Sequence, residues 1–222
     1  MSRVWIALGS NLGDREDNVS RAVSRLAELD LPPGRLSHVY ETEPEHGADE
    51  PPYLNAVLQT ESERDPVELL RILQQIETEL GRPPVGTARS GSRTLDLDLL
   101  AVGEWITEGD GPENGDTAAD AVGPDDEVGA NVGTAGPKAT GRAADTDLVL
   151  PHPRLHLRSF VLVPLCEIDP HWRHPVLGQT AAALLAELEV EAGSVRLHGS
   201  LGLEPAGPCP YPWRQLPARG GI

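Results

Sequence analysis

Apolar residues recur along this chain with two periods, and together they predict the order strand, helix, strand, strand, helix, strand. Val4–Leu8 is a short apolar run ending at Gly9-Ser10-Asn11, which reads as a first strand. From Asp14 to Leu29, the residues Val19, Ala22, Val23, Leu26 and Leu29 return every three or four positions, the spacing of one helix face. Pro32-Pro33-Gly34 stops that helix. Segments 36–42 and 55–62 are strand candidates joined by a loop rich in Pro, Gly and acids. A second helix is strongly punctuated: Asp65 is its N-cap, Pro66 its first turn, and Glu68 completes a capping-box spacing. Leu69, Leu70, Leu73, Ile76 and Leu80 form its apolar face, and Gly81 with Pro83-Pro84 ends it. Thr94–Val102 (TLDLDLLAV) alternates as a strand.

This order is the ferredoxin-like βαββαβ arrangement of the α+β class, an antiparallel sheet flanked by helices. C-terminal additions follow. Residues 148–151 are a further strand candidate, 154–168 a turn or short helix with an apolar segment, and 180–189 a last helix.

Composition changes the picture at residues 104–147. That stretch holds 11 acids against two bases, with eight Gly, eight Ala and three Pro, and almost no large apolar residue. It cannot bury enough surface to offset the entropy of ordering it, which predicts a disordered acidic insertion in one domain spanning 1–199. Residues 200–222, with five prolines between Glu204 and Ala218, read as an extended tail. The net charge of −17 argues against a nucleic-acid partner and against an anionic membrane surface. No apolar run is long enough for a transmembrane helix. Cys166 and Cys209 have neither metal nor disulfide-framework spacing, so a reducing cytoplasm is the expected location. A monomer is the expected state.

The sharpest chemical feature is the pair Asp96 and Asp98. Two residues apart on a strand, they share one face while Leu95, Leu97 and Leu99 take the other. Paired carboxylates raise one another's pKa unless a cation lies between them, and hard oxygen ligands so spaced suit Mg²⁺ shared with substrate phosphates. A bare Asp-x-Asp is more often an ordinary solvated strand face. The residues before it alter that balance: from Leu80 to Leu95 there are three arginines, Arg82, Arg89 and Arg93, and no acid. Guanidinium groups bind phosphate oxygens in pairs, so this loop feeding a carboxylate strand points to a nucleotide triphosphate with its metal.

Other candidates are weaker. Gly9-Ser10-Asn11-Leu12-Gly13 lacks the spacing and lysine of a P-loop and could be a plain strand-to-helix turn. His152 and His156 have the i, i+4 spacing of a zinc pair, but Pro153 makes a helix through both unfavourable. His171 and His174, near Pro170 and Pro175, read as a surface loop.

Taken together, six stretches resemble the 6-hydroxymethyl-7,8-dihydropterin pyrophosphokinases of folate biosynthesis. They are IALGSNLGD at 6–14, YETEP at 40–44, PYLNAV at 52–57, IETELGR at 76–82, RSGSRTLDLDLL at 89–100 and LPHPRLHLRSFVLVPLCEI at 150–168. The resemblance implies an ATP-dependent diphosphotransferase acting on a pterin. It implies that Asp96 and Asp98 coordinate two Mg²⁺ ions, and that Arg82, Arg93, His152 and Arg158 act on the triphosphate as catalytic and ATP-binding residues. Gln74 and Glu77 would lie at the nucleotide site. Asn11, Thr42, Tyr53 and Asn55 would line the pterin pocket, with Phe160 stacked on the ring. Departures exist: Ser90 stands where the family often has Trp, Ser92 where Pro is frequent, and Pro153 where some relatives have Tyr. The competing reading is a non-catalytic ferredoxin-like module that binds a nucleotide or metabolite as a regulator. A paired-carboxylate strand opposite an arginine clamp is more than such a sensor needs.

Overall fold

The computed structural model describes residues 1–44, 50–81, 93–107, 148–188, 190 and 194–201. Within these, the elements run β1 (Ser2–Ser10), α1 (Arg15–Glu28), β2 (Arg35–Leu36), β3 (Val39–Thr42), β4 (Tyr53–Ser62), α2 (Pro66–Glu79) and β5 (Asp96–Val102). A 3₁₀ turn (Leu155–Leu157), α3 (Ser159–Ile168), α4 (Ala181–Glu187) and β6 (Val195–Gly199) follow. The sheet is antiparallel in the order β5-β1-β4-β3-β6, with β2 also on β4. Without β2 and β6 this is the ferredoxin-like order that the sequence pattern predicts. No helix of the described residues is long and apolar enough to cross a membrane.

Both faces of the sheet are covered. On one, Val19, Ala22, Val23 and Leu26 of α1 and Leu69, Leu73 and Ile76 of α2 pack on Val4, Ile6, Leu8, Leu58, Leu97 and Leu99. On the other, Val161, Leu162, Leu165 and Ile168 of α3, with Leu184 of α4 and Trp172, pack on Trp5, Val57, Leu100 and Ala101. The start of α2 has the capping box its sequence calls for: the Asp65 carboxylate accepts from the Val67 and Glu68 N–H groups at 2.9 Å each.

A β-bulge in β5 lets one strand serve both cores. Trp5 pairs with Ala101 but Ile6 pairs with Leu99, leaving Leu100 as the extra residue. Before the bulge, Leu97 and Leu99 face α1 and α2, so Asp96 and Asp98 face the other way; after it, Leu100 and Ala101 enter the core beneath α3. The carboxylates are thus presented at the strand's start while its end is buried on both sides.

Several sequence expectations need correction. The strand expected over 36–42 is broken at Ser37-His38, because the His38 N–H donates to the Glu167 carboxylate on α3 at 3.1 Å instead of to a neighbouring strand. Residues 148–151 are not a strand: the Leu150 N–H donates to Thr107 Oγ1 at 2.9 Å, and the Thr107 N–H to the Leu150 carbonyl at 3.0 Å. Residues 104–107, expected within the insertion, therefore belong to the packed domain, and Trp105 lies against the α1–α2 core. Residues 108–147 of the expected insertion and 202–222 of the expected tail lie outside the described residues. The strand that does extend the sheet, β6, escaped notice because VRLHG is short and mostly exposed, so its alternation spans only four residues and marks no buried face.

His174 is not in a surface loop. It is 4% exposed, edge-on to His156 and Trp172, and its Nδ1 accepts from the Val176 and Leu177 N–H groups at 3.3 Å. Burial, with a smaller contribution from His156, pushes its pKa down to about 4. The folded protein keeps this ring neutral where the unfolded chain protonates it. Its contribution to stability is therefore intact above pH ~6.5 and lost as pH falls toward 4. Asn at this position retains an acceptor and cannot titrate. Urea denaturation of H174N is expected to show a smaller loss of stability between pH 7.5 and pH 5 than the wild type, by about 1–2 kcal/mol. Parallel pH profiles would show that the histidine does not carry the effect.

Candidate active site

One end of the sheet gathers the functional side chains. The C-terminal ends of β1 and β3 and the N-terminal ends of β4 and β5 meet there, under the segment that leads into α3. They enclose a cleft of about 310 Å³ lined by Gly9, Thr42, Glu43, Glu50, Tyr53, Asn55, Arg93, Asp96, Asp98, Arg154, Arg158 and Phe160. That size lies at the lower end of the range for small-molecule sites.

Gly9 sits in register between Asn55 on β4 and Asp96 on β5. A Cβ there would come 3.3 Å from Asn55 Oδ1 and 3.8 Å from Asp96 Cβ, so the missing side chain is what lets these two groups converge. Asn55 is held by its own amide, which donates to Thr42 Oγ1 at 2.7 Å. Both are buried, 6% and 5% exposed, which presents a rigid polar edge to the cleft. Gly9→Ala is expected to weaken binding of the ligand that this edge recognises by three- to tenfold, through displaced Asn55, while leaving the melting temperature nearly unchanged. Unaltered ligand affinity would show that Asn55 absorbs the methyl group without consequence.

The carboxylate pair divides its partners. Asp96 is ion-paired with Arg93, three residues earlier. Asp98 receives Arg158 Nη1 at 3.4 Å and lies 4.0 Å from His152 Nε2. Burial, and then the negative charge of Asp96, raise the Asp98 pKa above the usual carboxylate value, against the pull of His152, Arg158 and Arg93. An anion held where it is disfavoured calls for added positive charge. Among the described residues no group of three or more His, Cys, Asp or Glu gathers to enclose a metal. The two carboxylates alone fit a cation that keeps most of its coordination for water and phosphate oxygens, which is the habit of Mg²⁺.

His152 is fixed on both sides. Its backbone N–H donates to the carbonyl of the bulged Leu100 at 2.8 Å, and its Nδ1 accepts the Arg154 N–H at 3.2 Å. That second bond leaves the ring proton on Nε2, on the side of Asp98. Burial lowers its pKa, and Arg158 and Arg154 add to this against the opposing effect of Asp98, so the ring is a neutral donor at pH 7. Arg158 also lies over the Phe160 ring, 5.4 Å from its centroid.

Asn11 stands behind the cleft. Its N–H donates to the Arg93 carbonyl at 3.1 Å, its Oδ1 accepts the Arg93 N–H at 2.6 Å, and its Nδ2 approaches the Pro51 carbonyl at 3.4 Å. Arg15 adds a bond from Nη1 to the Pro52 carbonyl at 2.7 Å. The Gly9–Gly13 turn therefore ties together the chain segments that carry Tyr53 and Asp96.

Of the residues singled out from sequence, Thr42, Tyr53, Asn55, Arg93, Asp96, Asp98, Arg158 and Phe160 share the cleft, and His152 adjoins it through Asp98. Asn11 is engaged by main chain. Glu77 is buried on α2, where Oε1 accepts the Leu97 N–H of the edge strand β5 at 2.9 Å, and Gln74 is exposed on the same helix; neither lines the cleft. Arg82 and Arg89 lie outside the described residues. Sequence reasoning passed over Gly9 as a spacer, Glu43, Glu50 and Arg154. Only Arg154 carried a signal, as the first of the two arginines in HPRLHLR.

Comparison with known proteins then decides the family. Residues 5–170 match the family model of 7,8-dihydro-6-hydroxymethylpterin-pyrophosphokinase. The chain belongs to this family. A 2-amino-4-hydroxy-6-hydroxymethyldihydropteridine pyrophosphokinase of Mycobacterium bovis is 34% identical over 201 residues, 89% of this chain and 90% of that protein. The Folate synthesis bifunctional protein of Arabidopsis thaliana is 33% identical over 165 residues, 74% of this chain. There the pyrophosphokinase-family chain spans only 26% of the relative's length. Among solved structures, the HPPK-DHPS of Plasmodium falciparum with pteroate is similar in fold, with a TM-score of 0.50 at 13% identity over 84% of this chain and 43% of that one.

Proposed function

We propose that this protein transfers the terminal diphosphate of ATP to the hydroxymethyl group of 6-hydroxymethyl-7,8-dihydropterin, releasing AMP, as a step of folate biosynthesis. The carrying observation is that one cleft joins a paired-carboxylate, arginine-flanked end to a polar edge of Thr42 and Asn55 beside an aromatic face, Phe160. A flat heterocycle with amide-like edges suits the second end, and a phosphate chain suits the first.

In the reaction the hydroxymethyl oxygen attacks the β-phosphorus of ATP. The bond from that phosphorus to the oxygen bridging the α-phosphate breaks, AMP leaves, and the alcohol proton passes to water. Asp96 and Asp98 would hold Mg²⁺, two ions by family resemblance, which supply Lewis-acid neutralisation of the phosphoryl oxygens. Arg93 and Arg158, steered by their carboxylate partners, hold phosphate oxygens in line with the alcohol. His152 donates from Nε2 to an oxygen gaining charge, and Phe160 orients the ring. Preorganised donors and positioning of this kind suffice for phosphoryl chemistry without a strong base. Arg82, with Gln74 on α2, is assigned to the nucleotide; Glu77 acts behind them by fixing β5 through its bond to the Leu97 N–H, and Asn11 acts from behind the pterin wall. A monomer in the cytoplasm, with no nucleic-acid partner, completes the reading.

The test is AMP release from ATP with and without the pterin and Mg²⁺. AMP formed only with both present is the expected result. MgATP binding without any AMP would turn the reading toward a non-catalytic nucleotide-binding module.

A further inference from the structure

The cleft is bipolar, and its polarity follows the sheet. Beyond the aspartate pair, its acids are Glu43 and Glu50, which belong to the β3–β4 connection beside Thr42, Tyr53 and Asn55. Its three cations, Arg93, Arg154 and Arg158, stand on the β5 side. Arg93 pairs with Asp96, Arg158 reaches Asp98 at 3.4 Å, and Arg154 follows His152, whose N–H is bonded to the β5 carbonyl of Leu100 at 2.8 Å. Two strands, β1 and β4, lie between β5 and β3, so the ends are roughly 14 Å apart at about 4.8 Å per strand.

Arg154 has no role in the reaction as argued above, yet it is built into this basic end. Its N–H is held by His152 Nδ1 at 3.2 Å, and the next residue, Leu155, is fully buried, so its Cα is anchored while its side chain is exposed at the cleft. The acceptor pterin is an uncharged alcohol and brings no anion to this end. The same ring after transfer carries a diphosphate, and its charge then matches the basic end while its ring keeps the polar edge of Thr42 and Asn55.

We propose that Arg154 is a binding residue for the transferred diphosphate, so that it holds the diphosphorylated pterin much more tightly than the pterin alcohol. This rests on the function proposed above. It also gives Arg154 a kinetic consequence: the residue retains product, and its loss speeds release.

The experiment measures dissociation constants of the pterin alcohol and of its diphosphate, each with Mg²⁺, for the wild type, R154A and R154K. R154A is expected to weaken the diphosphate about tenfold and the alcohol less than twofold, as removal of one charge-assisted contact does. R154K is expected to recover part of the loss, and the R154A effect to shrink in high salt. Equal weakening of both ligands, or no weakening of either, overturns the assignment of Arg154 while leaving the proposed function standing. A wild type that binds neither ligand overturns both. The side chain is exposed, so R154A is expected to melt with the wild type, and a collapsed melt would mark Arg154 as structural and refute the proposal.

Discussion

Asp98→Asn is expected to lower turnover by 10²-fold or more while leaving the fold as stable as before, or more stable. The first half follows from the role proposed for Asp98 as a charged ligand on the phosphoryl path, where loss of one preorganised electrostatic group costs about 10²–10³ in rate. The second half follows from its surroundings. Burial and the neighbouring Asp96 raise the Asp98 pKa, so the ionised carboxylate is held at a cost to the folded state at neutral pH. Asn has the same shape and no charge, and relieves that cost; stability given up for a working site is a common trade. The opposed changes are the discriminating feature. Steady-state AMP formation over a Mg²⁺ titration, with thermal melts beside it, checks both. Full Mg²⁺-dependent turnover in D98N would remove the carboxylate from the reaction. A large drop in melting temperature would instead make Asp98 a structural partner of Arg158.

Phe160→Ala is expected to weaken pterin binding by roughly 50- to 100-fold, with a smaller effect on MgATP. An aromatic wall contributes both buried apolar area and a stacking preference, on the order of 2–3 kcal/mol together. The ring also carries Arg158, 5.4 Å from its centroid. Some loss of kcat is therefore expected when the guanidinium over it gains freedom. Phe160→Tyr separates the two contributions, since it keeps the face and is expected to restore most of the affinity. Pterin affinity unchanged in the Ala variant would show that the ring binds elsewhere in the cleft.

How much of this was legible in the chain varies with the range of the interactions concerned. α1, α2, β1 and β5 declare themselves because each buries one face, and burial imposes a period that a one-dimensional sequence must carry. The capping box at Asp65 is a local bond between residues three apart, so it too is written locally. Asp96 and Asp98 share a face by strand geometry alone. By contrast, the break at Ser37-His38 depends on Glu167, 129 residues away, which takes the His38 N–H. β6 exists because the edge of β3 accepts it, not because VRLHG demands to be a strand. His174 looked like a loop residue because nothing in HWRHP states that His156 and Trp172 will close over it.

The site divides along the same line. The sequence by itself determined which side chains are available, their order, the ferredoxin-like succession of elements and the pairing of two carboxylates after an arginine-rich loop. Only the tertiary structure decided which of them meet. It brought Thr42, Asn55, Asp98, Arg158 and Phe160, drawn from three strands and one helix border, around a single cleft. It moved Asn11 and Glu77 into supporting bonds, and it added Gly9, Glu43, Glu50 and Arg154. Periodicity and capping report free energies that neighbouring residues settle among themselves. Convergence of charges across strands is settled by packing between distant segments, through burial, strand order and the bulge at Leu100, and it becomes visible only when the chain is folded.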